Sequence, residues 1–221
     1  MKIGVSLVGI SYDHGRDFQH CYQSIKENLI DPYAEDNDVS TYITTYNHEL
    51  IDTLLDLYKP THSRIYDYNY YGQVPSHIGA LEMLKSEDLD IIIVTRFDIH
   101  FNQVMKHINV DYTKFNALFR EQTHGQWAEL EFVTDNYFVF PHHMIDDYIA
   151  ALRSCQSNPP RSHCQDLHGV FLRMQNIIGI DKMHIVSPIL ENSHLNNSFY
   201  YVCRPEGERR PGQIGRGPGL N

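Results

Sequence analysis

The stretch that decides the fold is Leu89-Asp90-Ile91-Ile92-Ile93-Val94-Thr95-Arg96-Phe97-Asp98-Ile99-His100-Phe101. Its apolar run is short, continuous and rich in β-branched residues, which suits a strand buried on both faces in the middle of a helix-covered sheet. It ends in a charged cluster. In open α/β sheets ligands bind beyond the carboxyl ends of such strands, so Arg96, Asp98 and His100 mark where chemistry is expected.

Upstream of this strand the pattern alternates. Ile3 to Ile10 reads as a first buried strand, and a helix with Phe18, Cys21, Tyr22, Ile25 and Leu29 on one face runs to a stop at Asp31-Pro32. Val39 to Thr45 is a second strand, Leu50 to Tyr58 a second amphipathic helix ended by Pro60, and Ser63 to Tyr68 a third strand. Ser76 is placed as the N-cap of a helix that leads into the central strand. Three rounds of strand and helix imply a mostly parallel sheet with right-handed crossovers, an α/β fold in a single Rossmann-like domain.

Downstream the pattern is less regular. The spacing predicts a helical patch from Asn102 to Phe119, one or two strands within Trp127 to Phe140, a helix opened by Pro141 and another ending at Gly179. Short strands near Met183 to Ser187 and Phe199 to Cys203 complete it. Residues 204–221 are rich in Gly, Pro and Arg and read as a flexible tail or a linker toward a further domain.

Bulk properties exclude several classes. The 221 residues carry a formal net charge of -10, which argues against nucleic acid as a partner. No stretch approaches the ~20 apolar residues of a membrane span, and the start reads as a strand and not a signal peptide. A cytoplasmic location is expected. Cys21, Cys155, Cys164 and Cys203 lack C-x-x-C spacing; they read as reduced, mostly buried thiols, with one or more disulfides as the alternative. Neither the G-x-G-x-x-G fingerprint, nor the G-x-S-x-G elbow, nor a P-loop is present.

The positive signals are two. On an extended segment Asp98 and His100 point to the same side, so a carboxylate and an imidazole converge on one divalent cation. Thr134-Asp135-Asn136-Tyr137 puts a carboxylate and an amide into an apolar strand, a placement that is costly unless they are hydrogen-bonded or functional.

Around residues 89–101 the chain resembles the GT-A class of nucleotide-sugar glycosyltransferases, whose D-x-D motif follows a hydrophobic strand and holds Mn²⁺ or Mg²⁺ against the donor diphosphate. Within that class it is similar to the compact glycosyltransferase domain of the chlorella viruses, in element order over residues 2 to 203. His100 stands where the second acid of D-x-D is expected, and imidazole suits Mn²⁺ better than Mg²⁺. The resemblance implies one domain over 1–203, with 1–101 binding the nucleotide sugar and 102–203 the acceptor. It also implies a hexosyltransferase that uses a UDP-sugar as donor and a glycan, free or on protein, as acceptor. Gly9, Ser11, Thr45, Tyr46 and Asn47 would then lie against base and ribose, with Tyr68, Tyr70 and Tyr71 available to stack on the base. Arg96 would assist at the diphosphate, His194 would be a further metal ligand from a late loop, and Asp135 would be the base or positioning group for the acceptor hydroxyl. The alternatives are a metal-dependent nucleotidyltransferase, for which Ser11 to Arg16 is a poor phosphate loop, and a sugar-nucleotide or glycan-binding module without catalysis.

Overall fold

The computed structural model describes residues 1–13, 16–67, 72–122, 132–157, 167, 169–193 and 195–203. The chain opens with β1 (Lys2–Val8), a small hairpin of β2 (Tyr12–Asp13) and β3 (Arg16–Asp17), and α1 (Gln19–Ile25). A π-helical segment, Lys26–Ile30, continues into α2 (Asp31–Ala34). Then come β4 (Asp38–Tyr46), α3 (Ile51–Tyr58), β5 (His62–Tyr66), α4 (Gln73–Leu84), β6 (Ile91–Arg96) and β7 (Ile99–Phe101). The second half supplies β8 (Phe115–Glu121), β9 (Tyr137–Pro141), α5 (Ile145–Ser157), α6 (Val170–Ile178), β10 (Met183–Glu191) and β11 (Tyr200–Val202).

Seven strands form one sheet in the order β10-β8-β9-β6-β1-β4-β5. β5, β4, β1 and β6 are mutually parallel, and β10 is parallel to β8. β9 runs against both of its neighbours, which makes the sheet mostly parallel. The expected α/β architecture is therefore present, and the second half adds strands to the same sheet.

Alternation along β6 explains why its sequence is apolar without a break. Ile92 and Val94 enter one core with Leu81, Leu84, Phe138, Tyr148 and Met174, on the side of α4, α5 and α6. Ile91 and Ile93 enter the other with Ile3, Leu7, Phe18, Cys21 and Leu54, on the side of α1 and α3. A strand covered on both faces has no polar side to alternate with.

Several expectations are corrected. Residues 102–119 are not helical: apart from a 3-10 turn at Met105–His107 they lead into β8. Phe115, Leu118 and Phe119 have helical spacing, but all three are fully buried, Phe115 in one core and the other two in the opposite one. A short apolar run of this kind reads equally as a buried strand. The buried Asn116 fixes the strand by donating its amide to the carbonyls of Asp111, Lys114 and Val139 at 2.8, 2.7 and 3.0 Å.

β1 stops at Val8, not Ile10, because Gly9 turns the chain out of the sheet at φ 105°. Pro32 does not stop the helix either: the π register preceding it lets the Asp31 N–H bond back to Lys26 O, so the proline falls in the first turn of α2, where its missing N–H is harmless. Ser76 is not an N-cap but sits inside α4, its hydroxyl donating to Gly72 O at 2.9 Å. Pro141 both ends β9 and caps the 3-10 turn His142–Met144 that runs directly into α5, so the helix expected after it is present, with Met144, Ile145, Tyr148, Ile149 and Leu152 buried. The Trp127 end of the predicted strand region and the 204–221 tail lie outside the described residues.

Phe115 tests the corrected half. Its ring lies 5.5 Å from that of Phe138, 5.4 Å from Phe140 and 5.0 Å from Tyr148. Phe115→Ala is expected to cost about 3–5 kcal/mol in urea unfolding, from lost transfer energy and the cavity left behind. A loss below about 1 kcal/mol contradicts this placement.

Candidate active site at the strand ends

The strand order reverses between β1 and β6. From β1 the chain moves to β4 and β5 on one side, then crosses to β6 on the other. Such a switch point leaves a crevice at the carboxyl ends. Val8 and Arg96 are paired in register there. Gly9, next in the chain, holds its amide on Thr44 O at 3.0 Å, and a Cβ built on it meets nothing within 4 Å.

Beside Gly9 the ends of β1 and β4 are joined by buried hydroxyls. Ser11 Oγ lies 2.8 Å from Thr45 Oγ1 and 2.8 Å from His48 Nε2. Because Leu50 N–H donates to His48 Nδ1 at 3.2 Å, the His48 proton belongs on Nε2 and is given to Ser11. Burial lowers the His48 pKa, with Glu49 and Asp17 acting the other way. The Tyr46 hydroxyl reaches Ser76 Oγ at 2.5 Å, and Asn47 N–H donates to Tyr66 O at 2.7 Å. Gly9, Ser11, Thr45, Tyr46 and Asn47 are thus brought to one rim. Tyr68, Tyr70 and Tyr71 lie outside the described residues.

On the other side of the switch point stands a charged cluster. The chain turns at Phe97 and Asp98, and Arg96 folds back on Asp98 as a fork, Nε to Oδ1 at 2.8 Å and Nη2 to Oδ2 at 2.6 Å. Arg16, delivered by β3, approaches the same carboxylate with Nε 3.5 Å from Oδ2 and is also hydrogen-bonded to Asp13. Asp98 is only 3% exposed, so the pairing is strong and necessary. Burial works against the Arg96 charge, but the carboxylates of Asp98 and Asp135 outweigh it and raise its pKa.

The third free edge of Arg96 donates to Asn136 Oδ1 at 3.1 Å. Asn136 in turn gives its amide protons to Ser193 O at 3.0 Å and Tyr200 Oη at 2.9 Å, and Tyr200 meets Thr134 Oγ1 at 2.6 Å. Thr134 to Asn136 are buried just before β9, and Asp135 accepts from Gln73 Nε2 at 3.0 Å. One turn along α4, the buried His77 holds Nδ1 on Gln73 O at 2.9 Å. Its pKa is pushed down to about 4, chiefly by burial, with the Gln73 carbonyl and Asp135 opposing. Gln73, His77, Tyr200 and Arg16 are the site residues that sequence reasoning missed; only the polar pair at Asp135 and Asn136 pointed toward them.

The turn at Asp98 also breaks the alternation that would have put Asp98 and His100 side by side. His100 sits on β7 between buried Ile99 and Phe101, its ring stacked on Tyr201 at 4.5 Å. Its Nδ1 is buried with no hydrogen-bond partner among the described residues. These residues bring together no group of three His, Cys, Asp or Glu side chains able to hold a metal ion, and both Asp98 oxygens accept from Arg96. The described donors therefore do not fit a resident cation. His194 lies outside the described residues.

No family model and no curated protein matches the chain. Among solved structures it is similar to a nucleoside-diphosphate-sugar pyrophosphorylase from Vibrio cholerae RC9, with a TM-score of 0.51, 14% identity, and 92% of this chain and 95% of that one covered. The two share a fold over nearly their whole lengths.

Two predictions follow from the cluster. Asp98→Asn removes the charge that the Arg96 fork and Arg16 share and is expected to lower unfolding stability by about 3–5 kcal/mol; Arg96→Met combined with Asp98→Leu recovers most of it. A loss below about 1 kcal/mol for Asp98→Asn makes the pair superficial. For His77, the unfolded chain takes up a proton near the ordinary histidine value of 6.5 while the folded chain resists until about 4. Stability is therefore present above that unfolded pKa and lost as pH falls toward 4, by about 3 kcal/mol from this group. His77→Asn removes that part of the acid slope, and an unchanged slope contradicts the assignment.

Proposed function

We propose that the chain is a transferase acting on a nucleoside-diphosphate sugar, most specifically a glycosyltransferase that moves a hexose from a UDP-sugar to a glycan acceptor. The observation that carries the reading is the meeting of an open glycine turn and a paired arginine and aspartate at the switch point, Val8 against Arg96. A nucleotide laid across that crevice meets the hydroxyl rim of Ser11 and Thr45 on one side and the charged cluster on the other.

The donor is proposed to arrive as its own Mn²⁺ or Mg²⁺ complex, with its diphosphate toward Arg16 and Arg96. Arg96 and Arg16 then lie where negative charge grows on the departing diphosphate. Asp135, held by Gln73, is the proposed group that orients or deprotonates the acceptor hydroxyl. The neighbouring fold of a nucleoside-diphosphate-sugar pyrophosphorylase supports nucleotidyl transfer as a second reading.

The test separates them by products. A UDP-sugar with Mn²⁺ is expected to raise the melting temperature and, with acceptor, to release UDP; at about 100 times Kd the ligand adds roughly 2.7 kcal/mol. Pyrophosphate release from UTP and a sugar phosphate instead supports nucleotidyl transfer, and no shift with any nucleotide sugar overturns both readings. Asp135→Asn is expected to slow transfer at least about 100-fold with donor Kd within about 3-fold. Full activity in that variant removes Asp135 from the chemistry.

A further inference from the structure

Cys21 and Cys203 are distant in sequence, yet the fold converges them on one point. Ser24 of α1 accepts the Phe101 N–H with its Oγ at 2.8 Å and lies 3.2 Å from Phe101 O, pinning α1 against β7. Cys21, three residues earlier, is on the same helix face and fully buried. β11 pairs antiparallel with β7, Tyr200 against Phe101 and Val202 against Ile99. The next step of that register brings Cys203 opposite Asp98, where its N–H donates to Asp98 O at 2.7 Å. Walking from Phe101 back to Asp98 thus moves one turn down α1, from Ser24 to Cys21, and three residues up β11, from Tyr200 to Cys203. Both cysteines pack into the same buried cluster as Phe101 and Tyr200, each thiol acts on the other, and both are free.

We propose that Cys21 and Cys203 form a reversible dithiol site, which a small disulfide of the glutathione class oxidises to an intramolecular disulfide that staples β11 to α1. The two cysteines are unequal. Cys203 is half-buried, whereas Cys21 is fully buried. Reaction therefore starts at Cys203, the sulfur that a dissolved oxidant reaches. Its thiolate attacks one sulfur of the oxidant, the S–S bond breaks, and one thiolate leaves with the proton that Cys203 gave up. Cys21 then loses its proton, attacks the Cys203 sulfur of the mixed disulfide, and expels the second thiol. The protein loses two electrons and two protons, and the oxidant becomes two thiols.

The staple acts on the strand that serves the charged cluster. Tyr200 of β11 holds Thr134 and Asn136, and Cys203 holds the Asp98 carbonyl. Oxidation ties those contacts covalently to α1.

The experiment is titration of the whole chain with oxidised glutathione, read by intact mass and peptide mapping. The expected result is the loss of two hydrogens, a peptide joining Cys21 to Cys203, reversal by dithiothreitol, and a melting temperature higher by about 5–15 °C. Cys21→Ser should instead accumulate a stable glutathione adduct on Cys203, and Cys203→Ser should form neither product. The wild-type map alone decides the matter should a variant misfold. A persistent glutathione adduct on wild-type Cys203, a link to Cys155 or Cys164, or no reaction overturns the proposal.

Discussion

The structure depends on a guanidinium folded back onto a carboxylate two residues away. The Arg96 fork on Asp98 sits at the end of the most buried strand, where neither charge can be left alone. Each partner then recruits a different part of the chain. Through its carboxylate Asp98 draws in Arg16 and with it the hairpin that follows β1; through its carbonyl it fixes the chain after β11. Arg96 reaches Asn136, and Asn136 ties the approach to β9 to Ser193 and Tyr200. Segments far apart in sequence are thus held to one crevice by a single ion pair.

That arrangement is expensive in a low dielectric unless every charge is matched, and fork geometry matches Arg to Asp better than Lys could. It also preorganises the strand ends. The hydroxyl rim around Ser11 and the charged cluster around Arg96 are buried and hydrogen-bonded on several sides before any ligand arrives. A polar crevice at a switch point is suited to an elongated, charged small molecule, and a nucleotide sugar has that shape and charge.

The sequence carried the first half of the fold well. The apolar run of β1, the β-branched runs of β4 and β6 and the amphipathic stripe of α3 are local signals, and each element stands close to where its pattern put it. β8 was misread because Phe115, Leu118 and Phe119 satisfy a helical spacing, and only the partners on either side of the sheet decide between strand and helix. The site was legible in part. Arg96 and Asp98 stood out as charges ending an apolar strand, and Asp135 and Asn136 as polar residues in an apolar segment. Arg16, Gln73, His77 and Tyr200 gave no such sign, since each lies in a stretch where its residue type is ordinary and only long-range packing brings it to the crevice. The pairing of Asp98 with His100 was argued from alternation within one strand, and a turn intervenes at Asp98 before His100 takes its place on β7.

The most direct test of the switch-point site is a crystal structure of the protein with UDP and Mn²⁺. The diphosphate is expected beyond the carboxyl ends of β1 and β6, within hydrogen-bonding distance of Arg96 or Arg16, with the ribose near Gly9 and Ser11. A nucleotide bound elsewhere, for example in the groove lined by Arg120, Phe171, Gln175 and His184, would contradict the account.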